Sequence, residues 1–317
     1  MGNNSNIRMP AEWEPHESVW LAWPYDKISF GSLNEPEGKS DEERLARVEK
    51  VFTKIIEELK KSERVELITR DRADYADVWT RDYMPVFVKA EGERPTAVKF
   101  DYNAYGEKFE ALIKDSEVFK ALNTSIRTVE PGIVLEPGAI EVNGQGTLIT
   151  TEQCLLKRNP NVSKTDYEKI FAEHLGISRV IWLKEGIVGD HTDGHIDEVA
   201  RFVAANKVLC AYEDDPADPN YQILKTNYEA LEKEFEVIKL PMPYMTYHDG
   251  KKAPASYANF YIGNKVLLIP KFNDPNDEAA FEIIKSLFPD RRAVAIDSTD
   301  IIYGGGGIHC MTREQPL

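Results

Sequence analysis

A cysteine close to the end of the chain is the strongest candidate for a reactive group. Cys310 ends the segment YGGGGIHC, residues 303–310, in which four consecutive glycines precede an apolar residue, a histidine and the thiol. Fixing four glycines costs much conformational entropy, so the run indicates that some group must approach this backbone closely. An ionised thiol there could act as a nucleophile. The competing interpretation is a flexible C-terminal linker.

The other two cysteines favour a different role. Cys154 and Cys210 lie in apolar segments that are predicted as strands of hairpins, where a small buried side chain is the ordinary interpretation. Three scattered cysteines are also too few for a disulfide framework or a zinc knuckle. Cys310 is therefore the candidate nucleophile.

A run of ionisable side chains between Asp190 and Glu198 is the second candidate. Its sequence, DHTDGHIDE, could not be buried cheaply without partners or a ligand. On a helix, His191 and His195 would share a face, and with Asp190 or Asp197 they could hold a metal ion. Gly189, just before this run, and Gly194 within it favour a loop instead, and the alternation from Ile196 onward favours a strand. In a strand His195 and Asp197 point to the same face, which places an imidazole beside a carboxylate.

Three further loops could line the same site. The first, residues 77–85, holds Asp82 next to an arginine and an aromatic residue, Trp79, although a surface turn with an Arg–Asp ion pair is a common alternative. The second, residues 136–141, offers carboxylates with little specificity and is interpreted as a wall. The fourth, residues 245–257, is long and rich in Gly, Pro and Tyr and is interpreted as a lid.

Together these loops would supply a thiol, an imidazole and two acids, Asp82 and Asp197. A thiolate with a histidine as acid and base is a familiar arrangement for covalent catalysis. Carboxylates aimed at a neutral amide would repel the developing oxyanion, whereas they pair bidentately with a planar guanidinium. Two such acids would hold the central carbon of the cation over the sulfur, so the pattern favours attack of Cys310 on a guanidino group.

The elements that would position these residues recur five times. Amphipathic helices, each followed by a short strand, are predicted along the chain, and the strands begin at residues 65, 126, 179, 237 and 293. One of these helices is predicted from Phe109 to Phe119. Hairpins with turns near Asn143, Asn206 and Asn264 follow the second, third and fourth loops. The predicted fold is an α/β ring of five strand-strand-helix-strand units.

Closure of the ring would use the two ends of the chain. An orphan apolar segment, Ser18 to Trp23, would pair with the C-terminal strand, so that residues 1–317 form one catalytic domain without an exposed sheet edge. The loops after the five short strands would then converge near the axis. The alternative, a doubly wound parallel sheet, explains the hairpins poorly, and no glycine-rich nucleotide fingerprint follows a predicted strand.

The charge and hydropathy of the chain exclude several classes of function. A net charge of -15 opposes binding to nucleic acid, whose phosphates require a basic face, and suits a small cationic substrate. No apolar run approaches the roughly 20 residues that span a bilayer. The N-terminal residues have neither the basic region nor the apolar core of a signal peptide, so a cytoplasmic location is expected.

Three separated motifs resemble those of agmatine deiminases and bacterial-type peptidyl-arginine deiminases. They are WTRDYMP at residues 79–85, GHID at 194–197 and GGGGIHC at 304–310, with EWEPH at 12–16 and IEVNG at 140–144 also similar. The resemblance spans essentially the whole chain. It implies the pentein fold, a five-fold pseudo-symmetric α/β propeller, which agrees with the repeat count. Met84, Pro137 and Glu198 depart from the family pattern of glycine, glycine and asparagine.

The resemblance also implies roles for individual residues. It makes Cys310 the nucleophile, His195 the general acid and base, Asp82 and Asp197 the guanidinium-binding carboxylates, and Trp79 an aromatic residue that lines the substrate site. The implied reaction is hydrolysis of agmatine to N-carbamoylputrescine and ammonia through a thiouronium adduct, with no metal or organic cofactor. Such a reaction belongs to polyamine biosynthesis, on the way to putrescine.

Several alternatives remain open at this point. Deimination of free or peptidyl arginine is the alternative within the fold, and a metal-dependent hydrolase that uses Asp190, His191 and His195 is the alternative from another class. Agmatine carries a distal ammonium, for which Asp190 is the predicted partner. Whether the chain forms a homo-oligomer is left open.

Overall fold

The structure, a computed structural model, describes residues 7–25, 29–30, 41–247 and 250–317. Within these residues fifteen strands form five three-stranded sheets. The sheets, each in spatial order, are β15 (Arg313–Pro316), β1 (His16–Ala22) and β2 (Arg64–Ile68); β3 (Val86–Val88), β4 (Thr96–Val98) and β5 (Thr128–Val129); β6 (Ile140–Val142), β7 (Thr147–Thr151) and β8 (Arg179–Leu183); β9 (Ala200–Ala204), β10 (Lys207–Tyr212) and β11 (Glu236–Pro241); and β12 (Tyr261–Ile262), β13 (Val266–Lys271) and β14 (Arg292–Asp297).

Helices connect the second and third strands of each sheet, apart from two short ones that precede β3 and β15. In chain order they are α1 (Asp41–Leu59), α2 (Thr80–Tyr83), α3 (Ala104–Glu107), α4 (Val118–Ala121), α5 (Glu152–Arg158), α6 (Lys164–Leu175), α7 (Tyr221–Leu231), α8 (Asp277–Leu287) and α9 (Thr299–Ile302). Three 3-10 helices cover Glu110–Glu117, Pro137–Ala139 and Ile196–Glu198. None of the helices in the described ranges has the length and apolar character that a membrane crossing needs.

The five sheets share one pattern of pairing. In each, the first pair of strands is antiparallel and the second pair is parallel, which is the strand-strand-helix-strand unit predicted from the repeats. The predicted hairpins at Asn143, Asn206 and Asn264 are present, and a further hairpin, β3–β4, was not predicted. β1 pairs with β15, with Trp20 opposite Arg313, so both ends of the chain contribute to one sheet.

The helices form because their apolar side chains recur at helical spacing. Val48, Phe52, Ile55 and Leu59 of α1 are all buried against the sheet that β1 and β2 build. The boundaries of α6 follow its capping signals. The side chain of Ser163 accepts a hydrogen bond from the backbone N–H of Asp166, and Gly176 ends the helix with a φ of 70°.

Three local predictions were wrong. The predicted continuous helix from Phe109 to Phe119 is instead a 3-10 helix followed by α4, because the segment before it, residues 104–107, has positive φ throughout. Cys154 lies on α5 rather than on a strand, although it is buried as expected. The segment after His195 is a 3-10 turn, and the strand begins only at Ala200.

Candidate active site

The loops that follow β2, β5, β8, β11 and β14 meet around Cys310. The sulfur lies 3.7 Å from Oδ2 of Asp197 and 3.2 Å from Nδ2 of Asn259. The backbone N–H of Gly138 donates to Oδ1 of Asp82 at 3.1 Å. Residues from five loops, separated by up to 228 positions between Asp82 and Cys310, thus share one site.

Cys310 is held by contacts of its backbone and of its sulfur. Its carbonyl oxygen accepts from the N–H of Arg81 at 3.0 Å, which ties the fifth loop to the first. Oδ1 of Asn259 accepts from the N–H groups of His309 and Cys310, so the amide group of Asn259 faces the sulfur as a donor. The thiol side chain is buried, with only 5% of its surface exposed.

The glycine run allows close packing beneath this cysteine. A Cβ atom on Gly306 would lie 2.8 Å from the ring of Trp79 and 3.2 Å from Cβ of Cys310. A Cβ atom on Gly307 would collide with the side chain of Asn259. The close approach predicted from the glycines therefore exists, and protein side chains make it.

Asp82, His195 and Asp197 converge on one point opposite the backbone of Gly138. A Cβ atom there would lie 2.6 Å from Oδ1 of Asp82, 2.7 Å from Nδ1 of His195 and 3.3 Å from Oδ2 of Asp197. Nδ1 of His195 is 3.7 Å from Oδ1 of Asp82, and the hydroxyl of Tyr105 donates to Oδ2 of Asp82 at 2.9 Å. The three side chains are almost completely buried.

The acids of the site differ in their charge. Burial raises the pKa of Asp82 to about 6, and the charge of His195 only partly offsets this. Burial also opposes ionisation of Asp197, but the hydrogen bond and charge of His309 outweigh it and lower the pKa of Asp197. Burial and the adjacent Asp197 raise the pKa of Glu198 well above its ordinary value, which favours its neutral form.

His195 is the cationic member of the site. Although burial works in the opposite direction, the charge of Asp82 and contacts with Cys154 and Glu136 raise the pKa of His195 well above its ordinary value. Nε2 of His195 is 3.6 Å from Glu136, and Glu136 in turn accepts two hydrogen bonds from Nε of Arg158. Each ring nitrogen of His195 therefore lies near a carboxylate, Nδ1 near Asp82 and Nε2 near Glu136.

The thiol of Cys310 is neutral in the same environment. Burial and the charge of Asp197 raise the pKa of the thiol well above its ordinary value. A cation placed beside the sulfur would reverse this effect, because it would stabilise the thiolate. The site is thus arranged to hold a positive charge next to a nucleophile that needs one.

Several buried polar atoms around the thiol have no hydrogen-bond partner within the described residues. They are both ring nitrogens of His195, Oδ1 of Asp197 and Oε2 of Glu198. Buried polar groups in native proteins are nearly always paired, so these atoms are the ones that a bound ligand would satisfy.

A cavity of about 310 Å³ opens onto Cys310. Trp79, Tyr105 and Phe109 supply its aromatic walls, Gly304 to Gly306 supply backbone, and Asp77, Asp82 and Glu110 supply carboxylates. Among the described residues that line it there is no lysine or arginine. The cavity is therefore suited to a flat cation with an apolar middle.

The structure places Asp190 and His191 away from the positions that their predicted roles require. The carboxylate of Asp190 accepts from the N–H groups of Thr192, Gly194 and His195, so it shapes the third loop and does not line the described cavity. His191 lines the outer cavity, with Nε2 2.9 Å from the hydroxyl of Tyr247. Within the described ranges the groups that could hold a metal ion are Glu136–Cys154–His195 and Asp197–Glu198–Cys310, and neither contains Asp190 or His191.

The fourth loop contributes a residue that the sequence did not reveal. Of this loop, residues 248–249 lie outside the described part of the chain, while Ala253, Ala255 and Tyr257 are buried in a core cluster. Asn259 comes two residues after Tyr257, and its Nδ2 donates to the sulfur of Cys310. Glu136 and His309 were also missed, because their importance lies in partners that are distant in sequence.

Comparison with known proteins agrees with this geometry over nearly the whole chain. A model of the Porphyromonas-type peptidyl-arginine deiminase family matches residues 8–316. The agmatine deiminase of Pseudomonas savastanoi pv. phaseolicola is 32% identical over 351 residues, which cover 98% of this chain and 95% of that protein.

Solved structures give the same result. The agmatine deiminase of Enterococcus faecalis superposes with a TM-score of 0.87 at 28% identity, and a cysteine-to-serine variant of C. jejuni agmatine deiminase with substrate bound superposes with a TM-score of 0.87 at 26% identity; each comparison covers 98% of this chain and 96% of the other. Their fold is the pentein fold, as predicted. This chain belongs to the Porphyromonas-type peptidyl-arginine deiminase family, and it is a hydrolase of guanidino C–N bonds.

Proposed function

We propose that this protein hydrolyses agmatine to N-carbamoylputrescine and ammonia. The observation that carries the proposal is the buried thiol of Cys310, which lies with Asp82, Asp197 and the imidazolium of His195 at one end of a cavity that presents acids and aromatic rings. The relatives named agmatine deiminases support the same substrate.

The two acids would bind the guanidinium. Its N–H groups are arranged in a plane and pair with carboxylates through two parallel hydrogen bonds. Oδ1 of Asp197 is buried without a partner, and Asp82 lies across the same point from it. A guanidinium held between them places its central carbon beside the sulfur, where its charge favours ionisation of the thiol.

In the first half-reaction the thiolate of Cys310 attacks the guanidinium carbon. The side-chain nitrogen Nδ2 of Asn259 lies 3.2 Å from the sulfur and helps to orient it. The tetrahedral adduct then loses ammonia after a terminal amino group takes a proton from His195, which leaves an S-alkylthiouronium on Cys310 and a neutral imidazole. The C–S bond has replaced one C–N bond.

In the second half-reaction water resolves the thiouronium. The neutral imidazole of His195 removes a proton from the water as its oxygen attacks the same carbon. Collapse of the adduct breaks the C–S bond and regenerates the thiolate, and loss of the hydroxyl proton to solvent gives the neutral ureido product, which is released. The carboxylates of Asp82 and Glu136 stabilise the imidazolium that forms again on His195.

The cavity lining favours agmatine over arginine. Free arginine would bring a carboxylate into a space lined by Asp77 and Glu110, with no cationic side chain among the described lining residues to balance it. The distal ammonium of agmatine, by contrast, is complementary to these acids. Asp77 and Glu110 therefore replace Asp190 as the groups proposed to read the far end of the substrate.

The test is a comparison of substrates at equal concentration. We expect kcat/KM for agmatine to exceed that for free arginine and for an arginine-containing peptide by roughly 100-fold, since an unbalanced charge in a partly buried site costs several kcal/mol. Release of ammonia and formation of the ureido product are measured together. Equal rates for arginine, or no product from agmatine, would contradict the proposal.

Replacing Glu110 by glutamine tests the distal end of the site. Glu110 lies in the cavity wall at an exposed position, so its attraction for an ammonium is screened and modest. We expect Glu110→Gln to raise KM for agmatine about 3-fold to 5-fold with little change in kcat. Glu117→Gln, on the same 3-10 helix but outside the cavity lining, is the matched control. An unchanged KM for Glu110→Gln would exclude a role for this acid.

The pH dependence tests Asp82. Its pKa of about 6 means that it is ionised above pH 6 and protonated below it, so its attraction for the guanidinium is lost as the pH falls. We therefore expect kcat/KM for agmatine to decline on the acidic side with a midpoint near pH 6, since that ratio reports the free enzyme. Asp82→Asn should remove this step along with most of the activity. A profile that stays flat down to pH 4.5 would contradict the assignment.

A further inference from the structure

A chain of three buried side chains runs behind the candidate nucleophile. Nδ1 of His309 lies 2.7 Å from Oδ2 of Asp197, and Nε2 of His309 lies 2.7 Å from Oε2 of Glu12. The same oxygen of Asp197 is 3.7 Å from the sulfur of Cys310. Glu12 comes from the N-terminal segment, so the chain links the two ends of the protein at the thiol.

The contacts among Glu12, His309 and Asp197 limit which of their atoms can donate a hydrogen bond. Carboxylates that are ionised only accept hydrogen bonds, and a neutral imidazole has only one N–H to donate. Although burial opposes it, the charges of Arg201 and His309 keep the pKa of Glu12 well below its ordinary value, and the pKa of Asp197 is lowered as well. Each ring nitrogen of His309 lies at hydrogen-bond distance from one of these carboxylates, and two ionised carboxylates can both be contacted only if both ring nitrogens donate.

We propose that His309 is a positioning residue: held by Glu12, it fixes the carboxylate of Asp197 in the orientation and charge state that receive the substrate guanidinium. One oxygen of Asp197 is occupied by His309, while the other, Oδ1, is buried without a partner. His309 thus fixes Oδ2 beside the sulfur and leaves Oδ1 available to a ligand. The inference rests on the proposed guanidinium binding.

His309 itself is fixed by its surroundings. It is buried, its N–H donates to Oδ1 of Asn259 at 2.8 Å, and its carbonyl oxygen accepts from Nε of Arg81 at 3.2 Å. Glu12 is also anchored, with Arg201 2.9 Å and Arg81 3.4 Å from its Oε2. Because the ring and both of its partners are immobilised, the position of Asp197 follows from that of His309.

Asp197 and Glu198 illustrate the consequence of this arrangement. They are adjacent, both are buried, and both lie within 3.8 Å of the sulfur of Cys310. Two carboxyl groups this close do not both ionise readily. Of the two, only Asp197 has a histidine at hydrogen-bond distance, so His309 favours ionisation of Asp197, whereas burial and the charge of Asp197 favour the neutral form of Glu198.

The other titratable and charged groups around Glu12, His309 and Asp197 are the same in the parent and in a variant of His309. Those that act on Asp197 or share its surroundings are His309, His195, Arg201, Glu198, Asp82 and Cys310. Those near His309, besides Glu12 and Asp197, are Glu141 and Arg81. Replacing His309 removes one cationic hydrogen-bond donor from Asp197 and leaves the remaining groups in place.

The experiment compares two buried histidines that each contact a glutamate. His309→Asn removes the imidazolium from Asp197, whereas His16→Asn removes a histidine that lies 3.1 Å from Glu63 and outside the cavity lining. We expect His309→Asn to move the acidic midpoint of kcat/KM upward by about one pH unit, so that its loss relative to the parent is about threefold larger at pH 6.5 than at pH 8.5. His16→Asn should lower the thermal midpoint and leave the acidic midpoint unchanged.

A second measurement reads the histidine rings of the intact protein directly and does not depend on turnover. Nitrogen-15 NMR of the histidine rings at pH 7 should show His309 with both nitrogens protonated, assigned by the resonance that His309→Asn or His309→Gln removes. A ring with one bare nitrogen would overturn the proposal, and so would an acidic midpoint that His309→Asn leaves in place. If agmatine is not a substrate at all, the NMR result still shows whether the His309 ring is protonated on both nitrogens.

Discussion

Replacement of Cys310 by alanine should reduce agmatine turnover by about 10⁴-fold or more, since loss of a nucleophile removes the covalent route itself. The substitution removes only the sulfur atom, which contacts Asn259 and faces two carboxyl groups, and it leaves the Cβ atom and the backbone contacts in place. We therefore expect the variant to stay folded, with a thermal midpoint close to that of the parent. Release of ammonia and thermal unfolding are measured on the same preparation.

The adduct gives this prediction a direct observable. Acid quench of the parent during turnover should trap a thiouronium, seen by mass spectrometry as added mass on the peptide that carries Cys310. Cys210→Ala is the matched control, because Cys210 is a buried thiol on β10 that does not line the cavity. We expect Cys210→Ala to have a lower thermal midpoint than the parent but to retain turnover and the adduct on Cys310. Turnover by Cys310→Ala, or an adduct on another residue, would contradict the mechanism.

Cys310→Ser separates binding from chemistry. A hydroxyl group is a far weaker nucleophile at neutral pH, while the carboxylates and the cavity remain in place. We expect calorimetry to detect agmatine bound to this variant without product formation. The C. jejuni agmatine deiminase, whose cysteine-to-serine variant was solved with substrate bound, makes this design practical.

The repeat of the fold could be predicted because each unit carries its own local signals. The buried stripe of α1, the Ser163 cap and Gly176 stop of α6, and the Asn-centred hairpin turns are short-range patterns. Such signals survive in the sequence without knowledge of any distant partner. They also sufficed to place five loops on a common axis, and from that placement came the grouping of Cys310 with His195.

The segment around Tyr105 shows where local signals fail. The helix predicted from the apolar pattern begins at Phe109, and no pattern before it indicated that Ala104, Tyr105 and Glu107 adopt positive φ values of 55° to 63°. Non-glycine residues avoid this region, so the conformation has to be held by contacts elsewhere. The hydroxyl of Tyr105 donates to Asp82 and its ring lies 6.1 Å from that of His195, which supplies such a contact inside the site. The sequence contains no local signal for it.

The grouping of the candidate nucleophile with two acids could be predicted from the sequence, whereas the residues that hold them in place could not. Asp190 illustrates the difference, because a carboxylate in a dense polar loop can face a ligand or bind its own backbone, and spacing does not distinguish the two. Its oxygens accept from the N–H groups of its own loop. Glu136, which was interpreted as a wall, lies 3.6 Å from Nε2 of His195 and is itself held by Arg158, a partner 22 residues away on α5.

His195 is the residue whose replacement should separate the two halves of the reaction. It lies between Asp82 and Glu136, which keep it protonated before the substrate reacts. We expect His195→Gln to lower kcat for agmatine by about 10³-fold, the usual scale for loss of a general acid and base. Glutamine approximates the size of the ring and can donate to one carboxylate, so the fold should persist. His174→Gln, on α6 and outside the lining of the active-site cavity, is the matched control.

An agmatine analogue that carries a methylthio group in place of one terminal amino group shows which step has failed. Attack of Cys310 on this analogue expels methanethiol, which leaves with less help from an acid than ammonia needs, and produces the same thiouronium on the enzyme. Its hydrolysis still requires a base for the attacking water. In His195→Gln the adduct should therefore form and accumulate on Cys310, whereas in the parent it should turn over to the ureido product. Rapid hydrolysis of the adduct in His195→Gln would show that another group activates the water.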